Sequence, residues 1–201
     1  MLAQIRAITA LLVVTLLLCS IGYPLVLLGV GQGLFPGTAN GSLIEHQGRT
    51  IGSRLIAQPS KGDEWFQPRP SAVDYNAGAS GGSNLAASNP ALRKRVEEQL
   101  DQWEKKASPA SAGATAIPSD AVLASGSGLD PHITLANARL QSPRVASEWA
   151  RKTGRPVEEV NTLVTRVLDE SAFRPLGGLA GQELLINVLE VNRQLSVRLE
   201  R

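Results

Sequence analysis

Cysteine is almost missing from this chain: of 201 residues only Cys19 is one, and it lies within an apolar run. Beyond that run there is no disulfide, no cysteine nucleophile and no Cys-based zinc site. Histidine is confined to His46 and His132, without a His-Glu-x-x-His or EF-hand pattern, so no metal site is assigned. The GxxxxGK[ST] phosphate loop, a GxGxxG after a strand and an Asp-Lys-Thr-Gly phosphorylation motif are all absent. The chain therefore lacks the usual parts for hydrolysing a nucleotide. Aromatic residues make up only 4%, which calls for an aliphatic core. The formal charge is +2 with no basic stripe, which argues against a nucleic acid partner. No internal repeat is visible.

What the chain does have is a long uncharged stretch, Ala7 to Gly31. As a helix it spans about 37 Å at 1.5 Å per residue, enough to cross a hydrocarbon core of about 30 Å with some tilt. The expected organisation is a short segment 1–6, a transmembrane helix 7–31, a Gly-rich linker 32–42 and a soluble domain 43–201. A cleaved signal peptide has a shorter apolar region. A lipoprotein signal needs a small residue before its cysteine, and Leu18 is not small. Arg6 precedes the span and the first charge after it is Glu45. Positive charge favours the cytoplasmic side, so the domain is expected outside. Pro24 should bend the helix. A single span without charge forms no ion path alone.

The remainder reads as α+β. Residues 51–57 suggest a strand or hairpin arm, 120–124 and 184–186 further strands of one small sheet. Residues 61–90 carry many breakers with Trp65, Phe66 and Tyr75 interleaved, so this long loop has aromatics to bury. Asn89-Pro90 opens a helix running to residue 106, with Leu92, Val96, Leu100 and Trp103 on one face. Residues 107–118 read as an Ala/Ser-rich connection. A breaker-rich loop follows at 124–133. A short helix 135–140, a second capped by Ser142-Pro143 and a third from Pro156 come next. Asn187 with Glu190 makes a capping box for the last.

Ser125, Asp130 and His132 are the ingredients of a hydrolase triad. Such groups normally converge from separated elements, whereas these lie within eight positions. Asp130 before Pro131 better suits a bond to its own loop backbone, and no catalytic residue is assigned. Ser80-Gly81-Gly82-Ser83-Asn84 is similar to the Ser-Gly-Gly signature of ATP-binding-cassette proteins. Its amides could cradle a phosphate or close a tight turn.

Three blocks together resemble one family, the small C subunit of the Kdp-type potassium-transporting P-type ATPase of bacteria. They are Arg69-Pro70-Ser71-Ala72 with Asp74-Tyr75-Asn76, Ser80 to Leu85 and Asn89-Pro90; then Ala124-Ser125-Gly126-Ser127-Gly128-Leu129-Asp130-Pro131-His132-Ile133; then Leu176-Gly177-Gly178-Leu179 with Asn187-Val188-Leu189 and Asn192. The chain departs from the family pattern at Ala86-Ala87-Ser88 and at Gly181-Gln182-Glu183. The resemblance implies a non-catalytic accessory subunit of a bacterial inner-membrane potassium pump. Its partners would be a potassium-translocating channel-like subunit and an ATP-hydrolysing P-type subunit. ATP and potassium would be used by the complex, with no cofactor assigned to this chain. The resemblance also implies a catalytic-chaperone role that raises ATP affinity, mapped to Ser80, Gly81, Gly82, Ser83 and Asn84. The family-motif loop would be Ser125, Gly126, Ser127, Gly128, Asp130 and His132. A periplasmic domain cannot touch cytoplasmic ATP, so coupling through pump conformation is the favoured version. Two other readings stand beside it: a membrane-anchored extracytoplasmic ion- or solute-binding domain, and an anchored hydrolase using Ser127 and His132. The loops 65–90 and 124–133 are expected to be ordered and adjacent, since each alone is too Gly-rich to hold a shape.

Overall fold

The structure is a computed structural model that describes residues 1–106, 116–179 and 181–200. Most of the connection expected at 107–118 therefore lies outside the described residues. The chain divides into two units, Met1–Leu43 and Ile44–Arg201.

The first unit is built on one apolar helix, α1 (Leu2–Leu34), long and apolar enough to cross a membrane. A π-helical turn, Leu18–Gly22, lies directly ahead of Pro24. Proline has no N–H for the carbonyl four residues back, and its ring crowds that carbonyl; a widened turn relieves both. After Phe35 a single turn, α2 (Pro36–Ala39), follows. The Gln32 and Asn40 amides exchange hydrogen bonds of 3.1 and 3.2 Å, and Asn40 Nδ2 donates to Pro36 O.

The second unit starts one residue into a hairpin of β1 (Leu43–His46) and β2 (Arg49–Ser53). Gln47 and Gly48 close it with φ of 49° and 74°, the positive pair that two-residue I′ turns need. Helix α3 (Pro90–Lys106) starts where expected, with Asn89 Oδ1 accepting from Ala91 N at 2.9 Å. Trp103 Nε1 ties it to Ala121 O at 3.0 Å. The core lies further on. Helices α5 (Leu135–Thr153), α6 (Val157–Ser171) and α7 (Val188–Leu199) bury Val145, Trp149, Val164, Val167, Val191 and Leu195 around a short antiparallel pair. That pair is β3 (His132–Thr134) with β4 (Leu185–Asn187), Ile133 opposite Ile186. The core is aliphatic, as the scarcity of aromatics requires, with Phe66 and Trp149 set into it.

Three expectations need correction. Residues 120–124 form no strand: α4 (Ser119–Val122) is one helical turn. That turn carries the Asp120 carboxylate, only 7% exposed, to donors from Thr134 N, Thr134 Oγ1 and Asn137 Nδ2 at 2.8–3.1 Å. A buried carboxylate without such donors would be costly. The sheet is not one but two, each of two strands. The free edge of β3 is closed by carboxylates, with Asp130 accepting from His132 N and Asp120 from Thr134 N. Finally, the two helices expected on either side of Ser142-Pro143 are one. Pro143 sits inside α5, and Ser142 Oγ turns back to Ala138 O at 3.0 Å. Burial of the face around Val145 and Trp149 outweighs a proline penalty of about 3 kcal/mol. Thr134 caps the joined helix by accepting from Asn137 N, and Gly154 ends it at φ 69°. The capping box of α7 is half made: Asn187 Oδ1 accepts from Glu190 N, but the Glu190 carboxylate pairs with Arg193.

Candidate functional site

The site is assembled from an extended strap and two loops that lack regular structure of their own. The strap, Glu64 to Pro68, is held by side-chain amides acting as a neighbouring strand would. Asn192 of α7 accepts from Phe66 N at 2.9 Å and donates to Phe66 O at 3.0 Å. Gln141 of α5 does the same for Gln67, at 2.7 and 3.0 Å. Charges fix the strap's outer end. Burial would raise the Glu64 carboxyl, but the Lys152 ammonium bonded to it holds it below its ordinary value. Arg144 bonds the carbonyls of Asp63 and Trp65; burial pulls its pKa down against the opposing charges of Asp63 and Glu64. Trp65 meets Trp149 edge to face at 5.2 Å.

Beyond Pro68 the two loops interlock. Ser71 Oγ donates to Gly128 O at 2.7 Å while accepting from the N–H groups of Val73 and Tyr75. Ser125 N donates to Pro70 O, and Gly81 N and Ser80 Oγ both donate to Ser127 O, at 2.8 and 3.2 Å. Tyr75 Oη donates to Arg69 O, and burial with the nearby Asp74 charge raises its pKa. The glycines are placed for contact. A Cβ on Gly82 would lie 2.8 Å from Gly126 O. One on Gly128, whose φ is +68°, would lie 2.6 Å from Val73 Cγ2 and 2.7 Å from Gly81 O. The Ser80–Asn84 segment thus has the Gly81 amide and the Ser80 hydroxyl engaged by the other loop. Asn84 turns the chain away at φ 51°.

Asp130 is the junction. Its Oδ1 accepts from His132 N at 3.0 Å and lies 3.1 Å from His132 Nδ1; Oδ2 lies 3.6 Å from Arg69 Nη1. Burial would raise the carboxyl, yet the bonds from His132 and the charges of His132 and Arg69 hold it below the usual range. The His132 ring stands edge-on to Phe173 at 5.4 Å. Ser127 Oγ accepts from Leu129 N, and Ser125 is buried. The Asp-His pair is there, but the Ser127 hydroxyl serves its own turn rather than His132. Among the described residues no group of three or more His, Cys, Asp or Glu is gathered for a metal.

Residues of all three sequence blocks line one open groove of about 750 Å³: Ser80 from the first, Gly126, Ser127 and Leu129 to His132 from the second, Asn187 from the third. Leu55, Ile56 and Phe173 complete its apolar wall, with Arg54 at the edge.

A family model described as KdpC, the c chain of K+-transporting ATPase, matches residues 5–197. The chain belongs to this family. It is 42% identical over 182 residues to the potassium-transporting ATPase KdpC subunit of Caldanaerobacter subterraneus subsp. tengcongensis, covering 90% of this chain and 89% of the relative. It is 42% identical over 195 residues to that of Cereibacter sphaeroides, covering 97% of each. It is 40% identical over 216 residues to that of Rhodopseudomonas palustris, covering all of both.

In this KdpC-family chain, sequence reasoning missed Gln141 and Asp120 altogether. The one available signal was polar residues on otherwise apolar faces. Gln141 shares its helix face with Ala138 and Val145, where a fully buried amide needs a partner. Asp120 sits at the head of an apolar run that otherwise resembles a strand.

Proposed function

We propose that this chain is the non-catalytic accessory subunit of an ATP-driven potassium pump in a bacterial inner membrane. It stands beside a potassium-translocating channel-like subunit and an ATP-hydrolysing P-type subunit. The name shared by the relatives, potassium-transporting ATPase KdpC subunit, supports the assignment to a pump. The apolar helix Leu2–Leu34 supports membrane anchoring. Arg6 ahead of that helix favours a cytoplasmic N-terminus and a periplasmic second unit.

In this reading the subunit raises the hydrolytic partner's ATP affinity without touching ATP. The observation that carries it is the engagement of Gly81 N and Ser80 Oγ by Ser127 O, with Gly82 pressed on Gly126. A phosphate cradle needs free amides converging on one point; the bond of Gly81 N to Ser127 O and the close approach of Gly82 to Gly126 favour packing between the loops instead. Binding one pump conformation better than another shifts its population. About 1–3 kcal/mol of coupling changes apparent affinity about 5- to 150-fold.

The test compares potassium-stimulated ATP hydrolysis by pumps purified with and without this chain. The expected result is a higher KM for ATP without it. Photoreactive ATP that labels Ser80 to Asn84 in the complete pump would overturn the indirect version. The side of the membrane is read by an impermeant thiol reagent on Ser147→Cys in a Cys19→Ala background. Labelling only in inverted vesicles would refute the periplasmic placement.

A further inference from the structure

The groove shared by the three blocks has a chemistry that the ATP-affinity role does not use. Its walls are mostly apolar, from Leu55, Ile56, Leu129, Pro131 and Phe173. Two of these face solvent, Leu55 at 56% and Phe173 at 40% exposed. The charges at its edge are unequal. Asp130 is already engaged by His132 and Arg69, while the Arg54 side chain has no ion pair among the described residues. The unanswered charge at the groove is therefore positive. The loop that carries Phe173 continues to Leu176 and Leu179, exposed at 78% and 92%. Leu176 is held at φ 49° and ψ 37°, a left-handed conformation that costs a leucine about 1–2 kcal/mol. Exposed leucines on a strained turn offer apolar surface for contact.

We propose that this groove, with Phe173 in its wall, receives a segment of a pump partner subunit that carries an apolar side chain beside a carboxylate. This deepens, and rests on, the accessory-subunit reading. The apolar residue fills the space between Leu55 and Phe173, and the carboxylate meets the Arg54 guanidinium. A nucleotide fits less well: several phosphates would face a single unpaired cation in an open trough with apolar walls. Bidentate pairing of arginine with a carboxylate at the edge of an apolar contact supplies orientation as well as attraction.

The experiment uses the complete complex with a photocrosslinking amino acid at Leu55, compared with one at the exposed Ser147. Purification of the complex with the unmodified chain comes first; failure to assemble would sink the accessory-subunit reading and this proposal with it. Given assembly, the expected result is a Leu55 crosslink to a partner subunit, mapped to a segment with an acidic residue next to an apolar one. Arg54→Glu should lower its yield about tenfold, and Arg54→Gln by less. In an assembled complex, crosslinks from Leu55 only to lipid, only to a second copy of this chain, or to nothing would overturn the groove proposal and leave the subunit assignment standing. Yield indifferent to both Arg54 variants would also overturn it.

Discussion

Alanine at Gly82 would set a methyl carbon 2.8 Å from the carbonyl oxygen of Gly126, closer than such contacts tolerate. Because that oxygen belongs to the backbone of the facing loop, the loops must separate to admit it. Overpacking of this kind costs about 1–3 kcal/mol. The neighbouring glycines give internal controls. Gly128→Ala meets Val73 Cγ2 at 2.6 Å and Gly81 O at 2.7 Å from a φ of +68°, adding a left-handed penalty of about 1–2 kcal/mol to the crowding. Gly81→Ala meets only Val73 Cγ1, at 3.4 Å, and Gly126→Ala meets nothing within 4 Å. Those two should change stability by less than about 1 kcal/mol and could gain slightly by restricting the unfolded chain. The expected order of destabilisation is Gly128, then Gly82, then Gly81 and Gly126 together. Denaturant unfolding of each full-length variant in detergent reads the order, and the KM for ATP of each assembled pump reads the function. If the loops act by packing, KM follows the same order. Gly81→Ala abolishing the ATP effect with stability unchanged would refute the packing argument and favour a phosphate cradle.

Asn192→Leu keeps the volume but strips two bonds from the Phe66 backbone; leaving both buried groups unpaired should cost about 2–6 kcal/mol. A loss under about 1 kcal/mol in urea unfolding would show that the strap is held otherwise. Asp130, whose folded pKa is depressed, contributes stability above an unfolded value of about 3.9 and loses it as pH falls through the lower folded value. Asp130→Asn should therefore be less stable at neutral pH and show a flatter acid limb below about pH 4; superimposable acid profiles would contradict this. Pro143→Ala restores an N–H to the carbonyl of Arg139 within α5 and should stabilise by about 1–3 kcal/mol; a lower Tm would mean the ring itself packs usefully.

Local signals carried well into the structure. Asn89-Pro90 starts α3, Gly154 ends α5, and Asn187 caps α7, because capping depends on neighbours within four residues. Signals that depend on distant partners misled. Ser142-Pro143 has the chemistry of a helix start, but the face that continues through Val145 and Trp149 is buried and carries the helix past it. Residues 120–124 have the apolarity of a strand, but Asp120 must reach Thr134 and Asn137, which one helical turn achieves. At the site, the bond of Asp130 to its own loop backbone, at His132 N, was readable because it spans two residues; its contact with the His132 ring was not read. The engagement of Gly81 by Ser127, and of Gln67 by Gln141, joins residues 46 and 74 positions apart.

The sequence by itself determined the apolar span, the aliphatic core, the positions of most helices and the family, because each rests on composition, periodicity or short motifs. Only the tertiary structure decided which atoms the glycine-rich blocks face. Backbone contact between two loops has no local signature, since a glycine that cradles a phosphate and one that admits a neighbouring carbonyl are the same residue. The facing atom is a tertiary property, and for Gly82 it is the carbonyl oxygen of Gly126.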